Sequence, residues 1–236
     1  MNINKITLVF LFMSIGINAQ VTFIQGGGSL MDWANLKKFQ KSNQELIITT
    51  DPNRVVFMGN SITENWGVFH KNFFLDNLFV NRGISGQTTP QMLIRFKPDV
   101  VNLNPKSVVI MAGINDIAGN TGPITIENTA DNIISMAEIA LANNISVYIC
   151  STLPAIDFPW SPGLEPGPKV VRLNSILKNY CAKKGITYVD YYSVMSNSNG
   201  GLKVPEFTSE DDLVHPNLSG YKVMEKIILS SLDSLD

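Results

Sequence analysis

Short, nearly unbroken apolar runs alternate along this chain with longer stretches in which apolar residues recur every three to four positions. The runs fall at residues 54–58, 79–84, 107–112, 146–153 and 187–192. Their length, their β-branched content and the lack of in–out alternation predict strands covered on both faces. The intervening stretches predict helices near 66–77, 88–103, 125–143 and 167–184, a last one at 217–234 and a leading one near 31–43. In "DNIISMAEIALANN", Ile133, Ile134, Ala137, Ile139, Ala140 and Leu141 gather on one face, as in a helix laid on a sheet. "VVRLNSILKNYCAKKG" repeats the pattern and stops at Gly185, a suitable C-terminal cap. Strand–helix alternation of this kind predicts an α/β fold with three layers, α/β/α, around a central parallel sheet of about five strands. No linker-like stretch divides residues 20–236, which are read as one domain.

In such sheets ligands sit beyond the carboxyl ends of the strands, so the residues just after each strand matter most. The first strand leads into Gly59-Asn60-Ser61, the second into "GISGQTT", the third into "AGINDIAGN" and the fourth into "LPAIDFPWSPG". The last leads through a long loop to "SEDDLVHPN". Polar and glycine-rich residues therefore collect at one rim. Ser61 stands either in an ordinary strand-to-helix turn or at the tip of a strand that displays it for chemistry.

The first residues change the picture of where the chain works. "MNINKITLVFLFMSIGINAQ" has one Lys, an apolar stretch from Ile6 to Ile17, and a small residue at a plausible cut after Ala19. That is the layout of an export signal, too short to span a bilayer, so residues 1–19 are set aside from the fold. Export implies a periplasmic or extracellular protein, without stable membrane insertion once the signal is removed. A formal charge of −2 and the absence of any block of like charges exclude a nucleic-acid footprint. Cys150, in an apolar run, and Cys181, on a predicted helix, read as buried free thiols; neither has a neighbouring His to activate it.

A serine hydroxyl needs a base to take its proton and a third group to orient the base. The chain has two histidines. His70, in "WGVFHKNFF", reads as a surface or packing residue, whereas His215 lies in the polar loop before the last helix. Asp212 precedes His215 by three residues, a spacing that can bring a carboxylate to Nδ1; Asp211 reads as a solvated neighbour. "DDLVHP" can equally be an Asx turn capping the last helix, and a metal site would need ligands the sequence does not cluster. Three donors could stabilise an oxyanion: the backbone N–H groups of Ser61 and Gly86 and the side-chain amide of Asn115. Individually, "GISG" is as well explained as a turn and "GIND" as a strand end with an Asx cap.

"FMGNSITENW", "NRGISGQTT", "AGINDIAGN" and "DDLVHPN" resemble, in order and spacing, the four sequence blocks of the SGNH hydrolases, or GDSL-type esterases. The resemblance runs from about residue 54 to the final helix. It implies a flavodoxin-like fold, with Ser61 as nucleophile, Ser61, Gly86 and Asn115 as oxyanion donors, and Asp212 and His215 completing the triad. One position departs from the pattern: the family's Gly-Asp-Ser reads Gly-Asn-Ser, with Asn60 in a place the family uses neither as nucleophile nor as base. The implied activity is hydrolysis of carboxylic esters without metal or organic cofactor. The expected partner is a small-molecule or glycan ester, with removal of an O-acetyl group from a carbohydrate as the leading reading. Trp66, Phe158 and Trp160 could stack on a sugar ring or line an acyl pocket. Two rivals are a lipolytic, lysophospholipase-type acylhydrolase and a non-catalytic carbohydrate-binding module on the same fold. No P-loop, dinucleotide fingerprint or G-x-S-x-G elbow is present.

Overall fold

The computed structural model describes residues 31–49 and 51–233, so the expected export signal at 1–19 lies outside the described residues. Strands β1 (Val55–Gly59), β2 (Val80–Gly83), β3 (Ser107–Met111), β4 (Ser146–Cys150) and β5 (Thr187–Val189) pair in parallel in the order β2-β1-β3-β4-β5. The register sets Val56 beside Val80 and Val108, and Ile110 beside Ile149. Every residue of β1 and β3 is buried, which accounts for their unbroken apolar runs. Four strands are shorter than predicted, β4 and β5 by three residues each. Asn174 takes the place of a strand neighbour at Thr152, accepting its N–H at 2.8 Å and donating to its carbonyl at 2.9 Å. At the end of β5, the Asp190 carboxylate accepts the Ser193 N–H at 3.0 Å and turns the chain into a one-turn helix.

The helices are α1 (Gln40–Ile47), α2 (Ser61–Phe69), α3 (Lys71–Asp76), α4 (Thr89–Asp99), α5 (Ile114–Ile117), α6 (Ile126–Ala142), α7 (Pro166–Lys184), α8 (Tyr192–Met195) and α9 (Leu218–Asp233). α4, α6 and α7 pack as neighbours, with α6 against β4 and α7 against β5; α2 packs on β1, β2 and α9. The sheet is thus flanked by helices in the expected three-layer α/β/α arrangement.

Several helix boundaries correct the sequence reading. The leading helix starts at Gln40 rather than near 31, because the Asp32 carboxylate accepts the N–H groups of Leu36 and Lys37 at 2.8 and 3.1 Å and commits that stretch to turns. The helix predicted at 66–77 begins earlier, at Ser61, and breaks at His70, whose φ of −141° and ψ of 66° are not helical. α4 stops at Asp99, directly after Pro98, and a short 3₁₀ turn at Val101–Leu103 completes the predicted stretch.

The site depends on one close approach. A Cβ added at Gly83 would lie 2.2 Å from the Glu64 backbone nitrogen and 2.7 Å from its Cα. Glycine at the end of β2 therefore lets the first turn of α2, which starts with Ser61, rest directly on the sheet. Cys150 and Cys181 are buried and unbridged, and burial pushes their thiols up to about 12 and about 11. Among the described residues no helix is long and apolar enough to cross a membrane.

Candidate active site

β1 ends at Gly59, and Ser61 is the first residue of α2. Asn60 caps the helix by accepting the Ile62 N–H on its side-chain oxygen at 3.4 Å. From the far end of the chain, His215 places Nε2 2.9 Å from Ser61 Oγ. Its Nδ1 lies 2.9 and 3.0 Å from the two oxygens of Asp212. Asp212 Oδ1 also accepts the backbone N–H groups of Val214 at 3.1 Å and His215 at 2.8 Å. The two alternatives for "DDLVHP" thus coincide: one carboxylate shapes the turn and holds the imidazole. The cap of α9 comes instead from Asn217, whose side-chain oxygen accepts the Gly220 N–H at 3.0 Å. Thr208 donates to the His215 carbonyl at 2.8 Å, fixing the backbone on the other side, and Asp211 is exposed.

Burial pushes the Asp212 pKa up, but hydrogen bonds from the His215 ring and backbone outweigh it and leave the group below its ordinary value. An ionised carboxylate only accepts, so the imidazole hydrogen sits on Nδ1 and the Nε2 lone pair faces the Ser61 hydroxyl. The arrangement can take a proton from Ser61.

Ser61, Gly86 and Asn115 come just after β1, β2 and β3, which are adjacent in the sheet. They line one open cleft of about 420 Å³ with Asn65, Ser85, Asn120, Trp160 and His215. A hollow of about 450 Å³ lies at the opposite end of the sheet, lined by Asp51, Arg54 and Lys106 among others, but no histidine enters it. Gly86 has φ of +75°, the left-handed region that glycine adopts without a Cβ penalty. Asn115 donates one amide hydrogen to the Gln87 carbonyl at 2.9 Å; its nitrogen carries a second. Beside it, Asp116 is buried and accepts the Thr89 N–H on both oxygens at 3.0 Å and the Thr89 hydroxyl at 2.6 Å. Burial raises this carboxyl to about 6 against those bonds.

Residues 57–223 match the profile of the GDSL-like Lipase/Acylhydrolase family. The chain belongs to that family. Two solved structures are similar over 86% of it. One, a Bacteroides fragilis protein assigned to the acylhydrolases, is 47% identical, is matched over 98% of its own chain and superposes with a TM-score of 0.81. The other, a GDSL-like lipase of Bacteroides thetaiotaomicron, is 42% identical and is matched over 99% of its chain, also with a TM-score of 0.81. An acetyl xylan esterase shares the fold at 20% identity and a TM-score of 0.61, over 75% of this chain and 98% of its own. Among curated proteins, an uncharacterized lipoprotein of Bacillus subtilis, YqeF, is 24% identical over 58% of this chain. The match spans 64% of that lipoprotein's length.

The GDSL-like assignment sharpens the outlying residues. Asn60, where the family pattern has Asp, keeps the helix-capping acceptor, and Asn and Asp are equivalent caps. Of the three aromatic candidates, two are corrected. Trp66 is 1% exposed, stacked between Phe73 and Tyr221, with its indole N–H donating to Glu225 at 2.9 Å. Phe158 is fully buried. Both are core residues and present no face to a ligand. Trp160 is 47% exposed, with its ring 6.3 Å from that of His215. His70 pairs through Nδ1 with Glu225 at 2.7 Å, and the Tyr221 hydroxyl donates to the Ile62 carbonyl at 2.9 Å. Together with Trp66 these bonds pin α2, which starts at Ser61, to α9, which comes just after His215. Sequence reading missed Asn65, Ser85 and Asn120 in the cleft. Ser85 and Asn120 lie inside the rim segments "GISGQTT" and "AGINDIAGN", and Asn65 lies four residues after Ser61 on the same helix face.

Proposed function

We propose that this GDSL-like acylhydrolase is an exported serine esterase in which Ser61 attacks the ester carbonyl. The observation that carries the reading is the continuous contact from Ser61 Oγ through His215 to Asp212. His215 Nε2 takes the hydroxyl proton as the Ser61 oxygen bonds to the carbonyl carbon, and Asp212 stabilises the imidazolium. The backbone N–H groups of Ser61 and Gly86 and the Asn115 amide receive the oxyanion. His215 then protonates the departing alcohol, and water repeats the cycle on the acyl-enzyme, releasing the acid and restoring the serine.

The substrate proposed is a short-acyl ester of a carbohydrate-like alcohol. Support comes from the lining of the cleft, where Asn65, Ser85 and Asn120 offer polar groups and Trp160 a flat apolar face. A sugar ring can stack on such a face while its hydroxyls meet amides. A lipolytic reading is favoured by the name of the GDSL-like lipase relative. Export rests on the signal-like residues 1–19 and on the lipoprotein relative.

The test is hydrolysis of p-nitrophenyl acetate by the purified protein and by Ser61→Ala. The variant is expected to lose at least about 10³-fold in kcat; near-native activity overturns the nucleophile assignment. Acetate release from acetylated sugars, compared with esters of increasing acyl length, then decides the substrate. Rates rising with chain length favour the lipolytic reading.

A further inference from the structure

Behind the cleft, against its Ser85, stands a carboxylate that the proposed chemistry does not use. Glu64 lies one turn after Ser61 on α2 and turns toward the loop between β2 and α4. One of its oxygens accepts both the Ser85 N–H at 2.6 Å and the Ser85 hydroxyl at 2.5 Å. The other is paired with the ammonium of Lys38, from the turns that precede α1. Burial pushes the Glu64 pKa up, but the bonds from Lys38 and Ser85 outweigh it, so the group stays below its ordinary value and ionised.

Ser85 immediately precedes Gly86. On the far side, Asn120 donates to the Gly86 carbonyl at 3.1 Å. The peptide between residues 85 and 86, which carries the Gly86 N–H, therefore has both flanking peptides held. Glu64 fixes the one before it through the Ser85 N–H, and Asn120 the one after it through the Gly86 carbonyl. Fixing a free residue costs about 1–2 kcal/mol of backbone entropy. A loop already fixed does not meet that cost when the oxyanion forms, which is the condition under which oxyanion donors are effective.

We propose that Glu64 is a positioning residue that locks the loop carrying the Gly86 N–H to the helix carrying Ser61, with Lys38 as its neutralising partner. This inference rests on the reading of Ser61 as nucleophile and Gly86 as oxyanion donor. Because one helix supplies both the attacking hydroxyl and the anchor for the loop, the two move together. The Lys38 contact has an electrostatic role as well. An unbalanced carboxylate in the first turn of α2, against this loop, would oppose negative charge developing beside Ser61 and Gly86, and the ammonium cancels it.

The experiment compares Glu64→Ala, Glu64→Gln and Lys38→Met with Ser61→Ala on p-nitrophenyl acetate, reading kcat, KM and Tm. Glu64→Ala is expected to lower kcat about 10- to 100-fold with KM within about twofold. Glu64→Gln keeps an acceptor for the Ser85 N–H and restores most of the loss, and Lys38→Met falls between them. Combining Glu64→Ala with Asn115→Ala is expected to lose less than the product of the separate effects, because both act on the same oxyanion. Wild-type kcat in Glu64→Ala and in Glu64→Gln, alongside an inactive Ser61→Ala, overturns the positioning role while leaving the nucleophile in place. Should Glu64→Ala fail to fold, Lys38→Met decides the matter by the same kcat-against-KM split, and a wild-type kcat in it overturns the positioning role. Retained activity in Ser61→Ala removes the nucleophile reading, and the positioning role falls with it.

Discussion

Replacing Arg95 with methionine tests how the rim of the sheet is held. Arg95 is fully buried on α4. Its guanidinium donates to Asp99 at 3.0 Å, to the Gly59 carbonyl at 2.9 Å, to the Arg82 carbonyl at 3.0 Å and to Gln87 at 2.6 Å. Burial lowers its pKa to about 10 with Asp99 pulling the other way, so it remains charged near neutrality. Gly59 and Arg82 are near the ends of β1 and β2, and Gln87 comes just after Gly86; one side chain thus ties together the strand ends that lead to Ser61 and to the Gly86 loop. Methionine fills a similar volume but leaves the Asp99 carboxylate, 1% exposed, without its ion-pair partner, with Arg82 the cation still acting on it. Removing one partner of a buried pair costs about 3–5 kcal/mol. Asp99 retains the Asn43 amide at 2.6 Å and the Gly59 carbonyl retains the Ile84 N–H at 3.2 Å, which limits the orphaned acceptors. A loss of about 4 kcal/mol is therefore expected, or about 8–16 °C in Tm for a domain of this size. Urea unfolding monitored by the fluorescence of buried Trp66 measures it. Arg95→Met/Asp99→Leu removes the stranded charge and is expected to recover about 1–2 kcal/mol over the single variant. A single-variant loss below about 1 kcal/mol, or no recovery in the double, refutes the reasoning.

The site itself yields two more expected outcomes. Asn115→Ala removes one of the proposed oxyanion donors and is expected to cut kcat about 10²–10³-fold with KM little changed in ester hydrolysis; an unchanged kcat removes Asn115 from the proposed oxyanion site. Asp116 is raised from 3.8 to about 6, so between those values the folded state holds a proton that the unfolded chain releases. Stability associated with Asp116 is present below the unfolded value and declines as pH rises to the folded one, by up to about 3 kcal/mol. Asp116→Asn keeps an acceptor for the Thr89 N–H and is expected to gain on wild type as denaturation midpoints are compared from about pH 4 to about pH 7; a pH-independent difference contradicts the assignment.

The features legible in the sequence were those that repeat locally. Runs such as "VVFM" and "SVVIM" are readable as strands because both their faces are buried, and α6 and α7 because their apolar positions keep a helical period over four or more turns. α5 and α8, at four residues each, are too short to display a period. The break at His70 was hidden because the apolar pattern continues through it into Phe73 and Phe74. Ser61, His215 and Asp212 could be named because their neighbourhoods are distinctive and the Asp–His spacing is local. Whether Trp66 or Trp160 faces solvent depends on what packs over each, and that comes from α9 for one and from nothing comparable for the other. The Glu64–Ser85 contact joins residues 21 positions apart on different elements, and no periodicity encodes it.

The Trp160 loop has a consequence of its own. It hangs from the end of β4 and supplies none of the groups proposed to make or break bonds, while Leu153, Ala155 and Phe158 plug it into the interior. Such a segment behaves as an exchangeable cassette: new residues between fixed anchors can redirect what the enzyme accepts while the machinery beneath stays unaltered. Diversification among relatives is then expected to concentrate there, with the three interior anchors changing more slowly than the tip.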